Sequence, residues 1–259
     1  MELEGRKALI TGGGMGIGQA IALAMARAGA DIAILDVKRD AAEETAFMVE
    51  KEGRRALVCE GSVSDAAVVD RAVERVMKEF GRIDILINNA GVTHPAVSIL
   101  ELDLRFLDEV TDVDWKGVYI CSRRVAQEMA NNRSGAIVNI ASIVAFLPVP
   151  LAVYAPVKSA VVMFTKILAR DLARFDIRVN AIAPGYVLTP LLEGMFKSGL
   201  RDPDRILNCV PMRKWVKPSD VAEAAVFLCS DKAGCITGVT LPVDAGFGVE
   251  GGWRAYTSD

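Results

Sequence analysis

Short apolar runs alternate with helix-length amphipathic segments from one end of the chain to the other, and this alternation restricts the fold more than any single motif does. The runs KALIT (7–11), DIAIL (31–35), ALVC (56–59), DILI (84–87), AIVNIA (136–141), IRVNAI (177–182) and VTLPV (239–243) are continuous rather than alternating. Such runs belong to strands covered on both faces. Helical patterns fall between them near 17–28, 40–52, 65–79, 103–130, 152–174 and 219–229, the crossover length that parallel strands need. Gly81 and Gly135 stand where helices would stop. The expected fold is α/β, a doubly wound parallel sheet of seven strands flanked by helices.

With 259 residues, 52% of them hydrophobic and 24% charged, the chain has material for one large core, and the expected organisation is a single domain over 1–259. A net charge of -3 without long like-sign runs gives no electrostatic reason to expect nucleic acid or an anionic membrane as partner, which leaves small molecules. Five cysteines without a C-x-x-C pair suggest neither a disulfide framework nor a zinc knuckle and fit a reducing cytoplasm. Cys121 and Cys209 read as packing residues. The start, MELEGRKALIT, does not look like a signal peptide. The uncharged stretch 134–157 is long enough to span a bilayer, but Pro148, Pro150 and Pro156 would interrupt the helix. It reads instead as a strand, a turn and the start of a helix. The longest unassigned piece, about 184–218, is a candidate substrate lid. Its Arg201, Arg205, Arg213 and Lys214 read as surface charges rather than contacts to an anionic substrate.

The segment ITGGGMGIGQAIA closes the first strand and opens the first helix. Gly12, Gly16 and Gly18 allow a tight turn, close approach of a phosphate to the backbone, and packing of helix on strand. Asp36, 18 residues past Gly18, ends the second strand, where a carboxylate accepts hydrogen bonds from the adenosine ribose and repels a 2'-phosphate. The expected cofactor is therefore NAD rather than NADP, with Lys38 and Arg39 read as solvated charges at a helix start.

These and four further motifs resemble the short-chain dehydrogenase/reductase (SDR) family along essentially the whole chain. TGGGMGIG (11–18) is similar to its cofactor loop, NNAG (88–91) to the segment after its fourth strand, Ser142 with Tyr154-x-x-x-Lys158 to its active site, PGYVLTP (184–190) to the segment over the nicotinamide, and ITGVTLPVDAG (236–246) to its last strand. The resemblance implies a Rossmann-like fold and a homotetramer. It also implies a cofactor site formed by Gly12, Met15, Gly16, Ile17, Gly18, Asp36, Ser62, Val63, Asn88, Asn89, Ala90, Gly91, Tyr154, Lys158, Pro184, Gly185, Val187 and Thr189. Val187 and Thr189 would hold the carboxamide and Lys158 the nicotinamide ribose. Ser62 stands where the family usually has an aspartate that reaches the adenine. Pro156 requires Tyr154 to lie in the first turn of its helix.

A tyrosine and a lysine four apart share a helix face, often without consequence. Beside a cofactor that needs coupled proton and hydride transfer, the pair reads as a proton-transfer device. The implied catalytic residues are Ser142, Tyr154, Lys158 and Asp114: Tyr154 takes the alcohol proton as general base, and Ser142 hydrogen-bonds the developing carbonyl. Asp114 replaces an asparagine of the family, whose main-chain carbonyl holds a relay water. If ionised, its carboxylate adds negative charge near Lys158; otherwise the side chain is turned into a helix contact or is neutral. The single histidine, His94, follows NAGVT; with no metal-spaced companion it reads as solvated or packed more readily than as a substrate contact. No metal site is expected.

The function read from these features is transfer of hydride between NAD and a secondary alcohol of a small metabolite such as a sugar, polyol or hydroxy acid. A 3-oxoacyl-type ketone reductase is the alternative enzyme, although Gly13, Gly14 and Met15 supply no basic residue for an NADP phosphate. A dinucleotide-binding sensor without chemistry is the alternative outside catalysis.

Overall fold

Each residue along the central strands faces one of two helical layers, so neither face of the sheet is open to solvent. In the computed structural model, which describes residues 1–249, Ala8 and Ile10 enter one core while Leu9 between them enters the other. The expected domain runs on to residue 259, and 250–259 lie outside the described residues. The elements are β1 (Lys7–Thr11), α1 (Gly16–Arg27), β2 (Asp31–Asp36), α2 (Arg39–Lys51), β3 (Ala56–Glu60), α3 (Ala66–Phe80), β4 (Ile85–Asn88), α4 (Arg105–Val110), α5 (Val118–Asn132), β5 (Gly135–Ile140), α6 (Tyr154–Leu172), β6 (Ile177–Pro184), α7 (Pro190–Lys197), α8 (Pro203–Asn208), α9 (Pro218–Cys229) and β7 (Thr240–Val243). Among the described residues the seven strands form one parallel sheet in the order β3-β2-β1-β4-β5-β6-β7. This is the expected Rossmann-like fold. The strand order reverses direction between β1 and β4, which opens a crevice at their carboxyl ends.

Four expectations are corrected. The helix read over 103–130 is interrupted by a π-helical turn, Thr111–Gly117, between α4 and α5. Gly81 does end α3 with a left-handed φ of 81°, but α5 ends on Arg133, with φ 49°, and Gly135 already belongs to β5. Gly135 is needed for closeness instead, because a Cβ there would collide with Met129. The segment 184–218 contains α7 and α8, both opened by an acceptor side chain followed by proline: Thr189-Pro190 and Asp202-Pro203. Cys121 is buried, and burial pushes its thiol up to about 12, whereas Cys209 is exposed and does not pack. The uncharged 134–157 stretch is β5, a short 3₁₀ turn at Ile143–Phe146 and the start of α6. Among the described residues no helix is long and apolar enough to cross a membrane.

Behind the crevice a buried polar chain ties the elements together. Asn88 donates to Ser122 Oγ (2.9 Å) and to Asn139 Oδ1 (2.7 Å), and Asn139 donates to Thr165 Oγ1 (2.9 Å). It links β4, β5, α5 and α6, and each group is dry, so each depends on its partner. Replacing Asn139 by alanine removes one of the two bonds made by the Asn88 amide and the donor to Thr165 Oγ1, leaving Asn88 with Ser122 and Thr165 with Val161 O, and should destabilise the fold by about 1–3 kcal/mol. At roughly 2–4 °C per kcal/mol for a chain of this size, a thermal melt should fall by several degrees. An unchanged midpoint would show that the chain of bonds contributes nothing.

Candidate active site

The crevice at the β1/β4 reversal is a cleft of about 550 Å3 that runs from the end of β2 to the start of α6. At the β2 end Asp36 is buried and oriented by the backbone, its Oδ2 accepting from Gly14 N and its Oδ1 from Lys38 N, both at 2.9 Å. Each oxygen keeps lone-pair capacity for a further donor in the cleft. Arg39 is turned away, bound to Glu43 at 2.7 Å and Glu60 at 3.7 Å, while Lys38 stays along the cleft.

The glycine loop forms the next wall. Gly12 and Gly16 have φ of 63° and 59°, and a Cβ on Gly12 would lie 2.8 Å from Ala90 Cα. Only glycine relieves both the strained backbone and the close approach. Met15 precedes α1 without a side-chain cap, so the first-turn N–H groups of α1 are left for an anion. Gly18 does not line the cleft. A Cβ there would collide with the Gly12 carbonyl, so it holds α1 under the loop.

Along the middle, Ile17, Ser62, Val63, Asn89, Ala90 and Gly91 line the cleft as expected. The Ser62 hydroxyl is paired with Ser64 Oγ at 2.8 Å. Asn88 is a correction: it faces the core network behind the sheet. Thr11, which opens the glycine motif but has no role assigned from the sequence, acts as a latch, its Oγ1 accepting from Asn89 N and Ala90 N (both 3.0 Å) and donating to Ile87 O (3.3 Å). Its signal in the sequence is its place at the head of the TGGGMGIG motif. Pro184, Gly185, Val187 and Thr189 close the far wall, with Thr189 Oγ1 also accepting from Leu192 N to cap α7. None of Arg201, Arg205, Arg213 and Lys214 lines the cleft.

At the α6 end Ser142, Tyr154, Lys158 and Asp114 converge. Lys158 is buried and donates to Ile140 O (2.9 Å), and its Nζ stands 3.0 Å from Asp114 Oδ2 and 5.4 Å from the Tyr154 ring centre. Asp114 is fully buried on the π-helical turn, and its Oδ1 accepts from Val92 N at 2.7 Å. The carboxylate therefore reaches the lysine itself, which decides between the two placements left open by the sequence. Gly91 packs on that carboxylate, since a Cβ there would come within 2.7 Å of Oδ2. Burial lowers the Lys158 pKa, but Asp114 and Tyr154 outweigh it and the net shift is upward. Burial raises the Tyr154 phenol, and Asp114 raises it further, against the opposing pull of the Lys158 charge and hydrogen bonding with Ser142; the net shift is again upward. Tyr154 is the first residue of α6, so Pro156 falls in the first turn, where its missing N–H has no helical partner to lose.

A glycine turn at a bare helix start, a carboxylate at the end of β2 and a phenol–ammonium pair share one cleft. Residues 12–248 match the family described as Enoyl-(Acyl carrier protein) reductase. The chain belongs to the short-chain dehydrogenase/reductase family. It is 38% identical to the 2,3-dihydro-2,3-dihydroxybenzoate dehydrogenase of Bacillus subtilis (strain 168), covering 94% of this chain and 96% of the relative. It is 34% identical to the 3-oxoacyl-[acyl-carrier-protein] reductase FabG of Staphylococcus epidermidis, covering 93% and 98%. The crystal structure of NAD+-bound xylitol dehydrogenase superposes with a TM-score of 0.90 at 30% identity, covering 95% of this chain and 100% of that one. This SDR is an NAD(P)-dependent oxidoreductase acting on CH–OH groups and the corresponding ketones.

Because Asp114 raises the phenol, Asp114→Asn should let Tyr154 ionise at lower pH. Ultraviolet titration of tyrosinate, with Tyr154→Phe subtracted to isolate this phenol, measures it. An unmoved or raised midpoint would mean that the carboxylate does not tune Tyr154.

Proposed function

We propose that this SDR is an NAD-dependent dehydrogenase for a secondary alcohol of a small metabolite, such as a sugar, polyol or hydroxy acid, with Tyr154 as general base. The observation that carries the reading is one cleft with Asp36 held at its β2 end and Tyr154 beside Ser142 and Lys158 at the other. The cofactor, when bound, accepts the hydride in alcohol oxidation and returns it in ketone reduction. Gly12, Met15, Gly16 and Asp36 would hold its adenosine and phosphate half, with Ser62 and Val63 beside the adenine. Asn89, Ala90, Gly91, Pro184, Gly185, Val187 and Thr189 would hold the nicotinamide half.

The chain's own residues handle the proton. Tyr154 as phenolate takes it from the alcohol oxygen, and Ser142 donates a hydrogen bond to the same oxygen as it becomes a carbonyl. The Lys158 ammonium, fixed by Ile140 O and Asp114, stabilises the phenolate. Since the phenol is shifted upward and the basic form grows as pH rises, alcohol oxidation should accelerate toward alkaline pH, and ketone reduction, which needs the phenol, should favour lower pH.

Preference for NAD is supported by Asp36, whose carboxylate would repel a 2'-phosphate, and by Arg39 being drawn off by Glu43 and Glu60. The 3-oxoacyl reductase reading has FabG in its favour but no basic side chain at Gly13, Gly14 or Met15. We also propose a single domain with 184–218 as a substrate lid, in support of which Val187 and Thr189 sit both on the cleft and at the entrance to α7. A homotetramer fits the exposed Tyr119, Met163 and Ile167 on α5 and α6, and a reducing cytoplasm fits five free cysteines.

A panel of polyols, sugars, hydroxy acids and 3-hydroxyacyl thioesters with NAD and NADP, read by the absorbance of the reduced nicotinamide, tests the function; turnover of thioesters alone would favour the FabG-like alternative. NAD should bind more tightly than NADP in titrations of the two, and Asp36→Ala should narrow the gap. Equal affinities in the parent would sink the NAD assignment. Tyr154→Phe should lose about 10²–10⁴-fold in turnover with NAD binding nearly intact. A variant that keeps most of its activity would remove Tyr154 from the base role.

A further inference from the structure

The single histidine lies at the start of the helix that carries Tyr154 and Lys158, 4% exposed. Its Nδ1 is 2.8 Å from the Pro95 carbonyl, and a carbonyl only accepts, so Nδ1 carries the proton. Nε2 then presents a bare lone pair. The backbone N–H groups of Val153 and Tyr154 both point to it at 3.3 Å. These are the N-cap and the first residue of α6, a helix whose N-cap residue, valine, has no side chain that accepts. Ala155 N reaches Leu151 O, Pro156 has no N–H, and Val157 N reaches Val153 O. The two remaining donors have His94 as their acceptor, supplied across 59 and 60 residues of sequence.

We propose that His94 is a positioning residue: a neutral imidazole, protonated at Nδ1, whose Nε2 caps α6 and fixes the backbone of Tyr154. Both ring nitrogens are committed to the main chain, so the ring contributes no hydrogen bond to substrate. Phe106 lies beside the ring, tilted 40° to it with centroids 6.1 Å apart. The proposal concerns how the phenol is held, and for its effect on turnover it rests on Tyr154 being the base.

Because the chain has one histidine, ¹⁵N-histidine labelling gives a single ring. Long-range ¹⁵N–¹H correlation should show Nδ1 protonated and Nε2 bare, unchanged when NAD+ is added; the opposite tautomer, or a doubly protonated ring at neutral pH, overturns the proposal without any substrate. Glutamine can place an amide oxygen where Nε2 lies, whereas asparagine reaches only as far as Nδ1. His94→Asn should therefore speed amide exchange at Val153 and Tyr154 and lower kcat about tenfold on the alcohol turned over fastest in the panel, a misplacement of well under 1 Å. Its dissociation constant for NAD+ should not change. His94→Gln should restore slow exchange and most of kcat. Equal loss in both variants, or a change in KM alone, would instead make His94 a packing residue or a substrate contact. If exchange follows the cap pattern while Tyr154→Phe stays active, the base assignment fails and the cap stands. Should His94→Asn not fold, the tautomer in the parent still decides.

Discussion

A buried ammonium sets the chemistry of this cleft. Lys158 has lost nearly all its water, and its charge is sustained by a carbonyl at the end of β5 and by the Asp114 carboxylate on the π-helical turn. Without compensation of that kind a buried lysine would neutralise. The pair is held on both sides: Val92 N binds one Asp114 oxygen, and Gly91 leaves room for the other. A neutral asparagine in this place would remove the opposing charge and leave Lys158 bound to Ile140 O beside the phenol. Burial raises the phenol, and with a carboxylate there part of the lysine's opposing field is offset, so the phenol remains shifted upward although an ammonium stands close to its ring.

The fold supplies the two ends of the cleft by independent means. At the β2 end the geometry is made by backbone: glycine conformations, the bare start of α1, and amides that clamp Asp36. At the α6 end it is made by buried side chains, through the network from Asn88 to Thr165 and through the Asp114–Lys158 pair. Backbone geometry tolerates few substitutions but is stable to changes of charge. Buried polar pairs behave in the opposite way, since a single isosteric change alters the electrostatics while leaving the shape.

What could be read from the sequence follows the same division. Continuous apolar runs gave strands to within a residue or two because both faces of the sheet are covered, and the glycine loop, Asp36, Ser142, Tyr154 and Lys158 were legible because each is tied to a strand end or a helix face. The π-helical turn was not legible, because Thr111–Gly117 carries the same amphipathic pattern as the helices on either side and only tertiary contacts decide the wider turn. Asn88 was misplaced toward the cofactor because adjacent residues of a strand point to opposite sides, and one position reverses the assignment. The helices α7 and α8 carried cap-and-proline signals at Thr189 and Asp202 but too short an apolar pattern to register.

The two ends must still keep register with each other, and the 88–95 strap does this. Its first residues are latched to β1 through Thr11, whose hydroxyl takes the N–H groups of Asn89 and Ala90, and Asn89 Nδ2 returns bonds to the carbonyls of Thr11 and Gly12. Val92 binds Asp114 and so the π-helical turn, and His94 reaches α6 at Tyr154. One extended segment thus contacts the glycine loop, the carboxylate that tunes the lysine and the backbone of the phenol. A shift of this strap would move the cofactor loop and Tyr154 together. The glycine loop and the backbone of Tyr154 are therefore tied to one segment of chain by hydrogen bonds, in addition to the sheet that carries both.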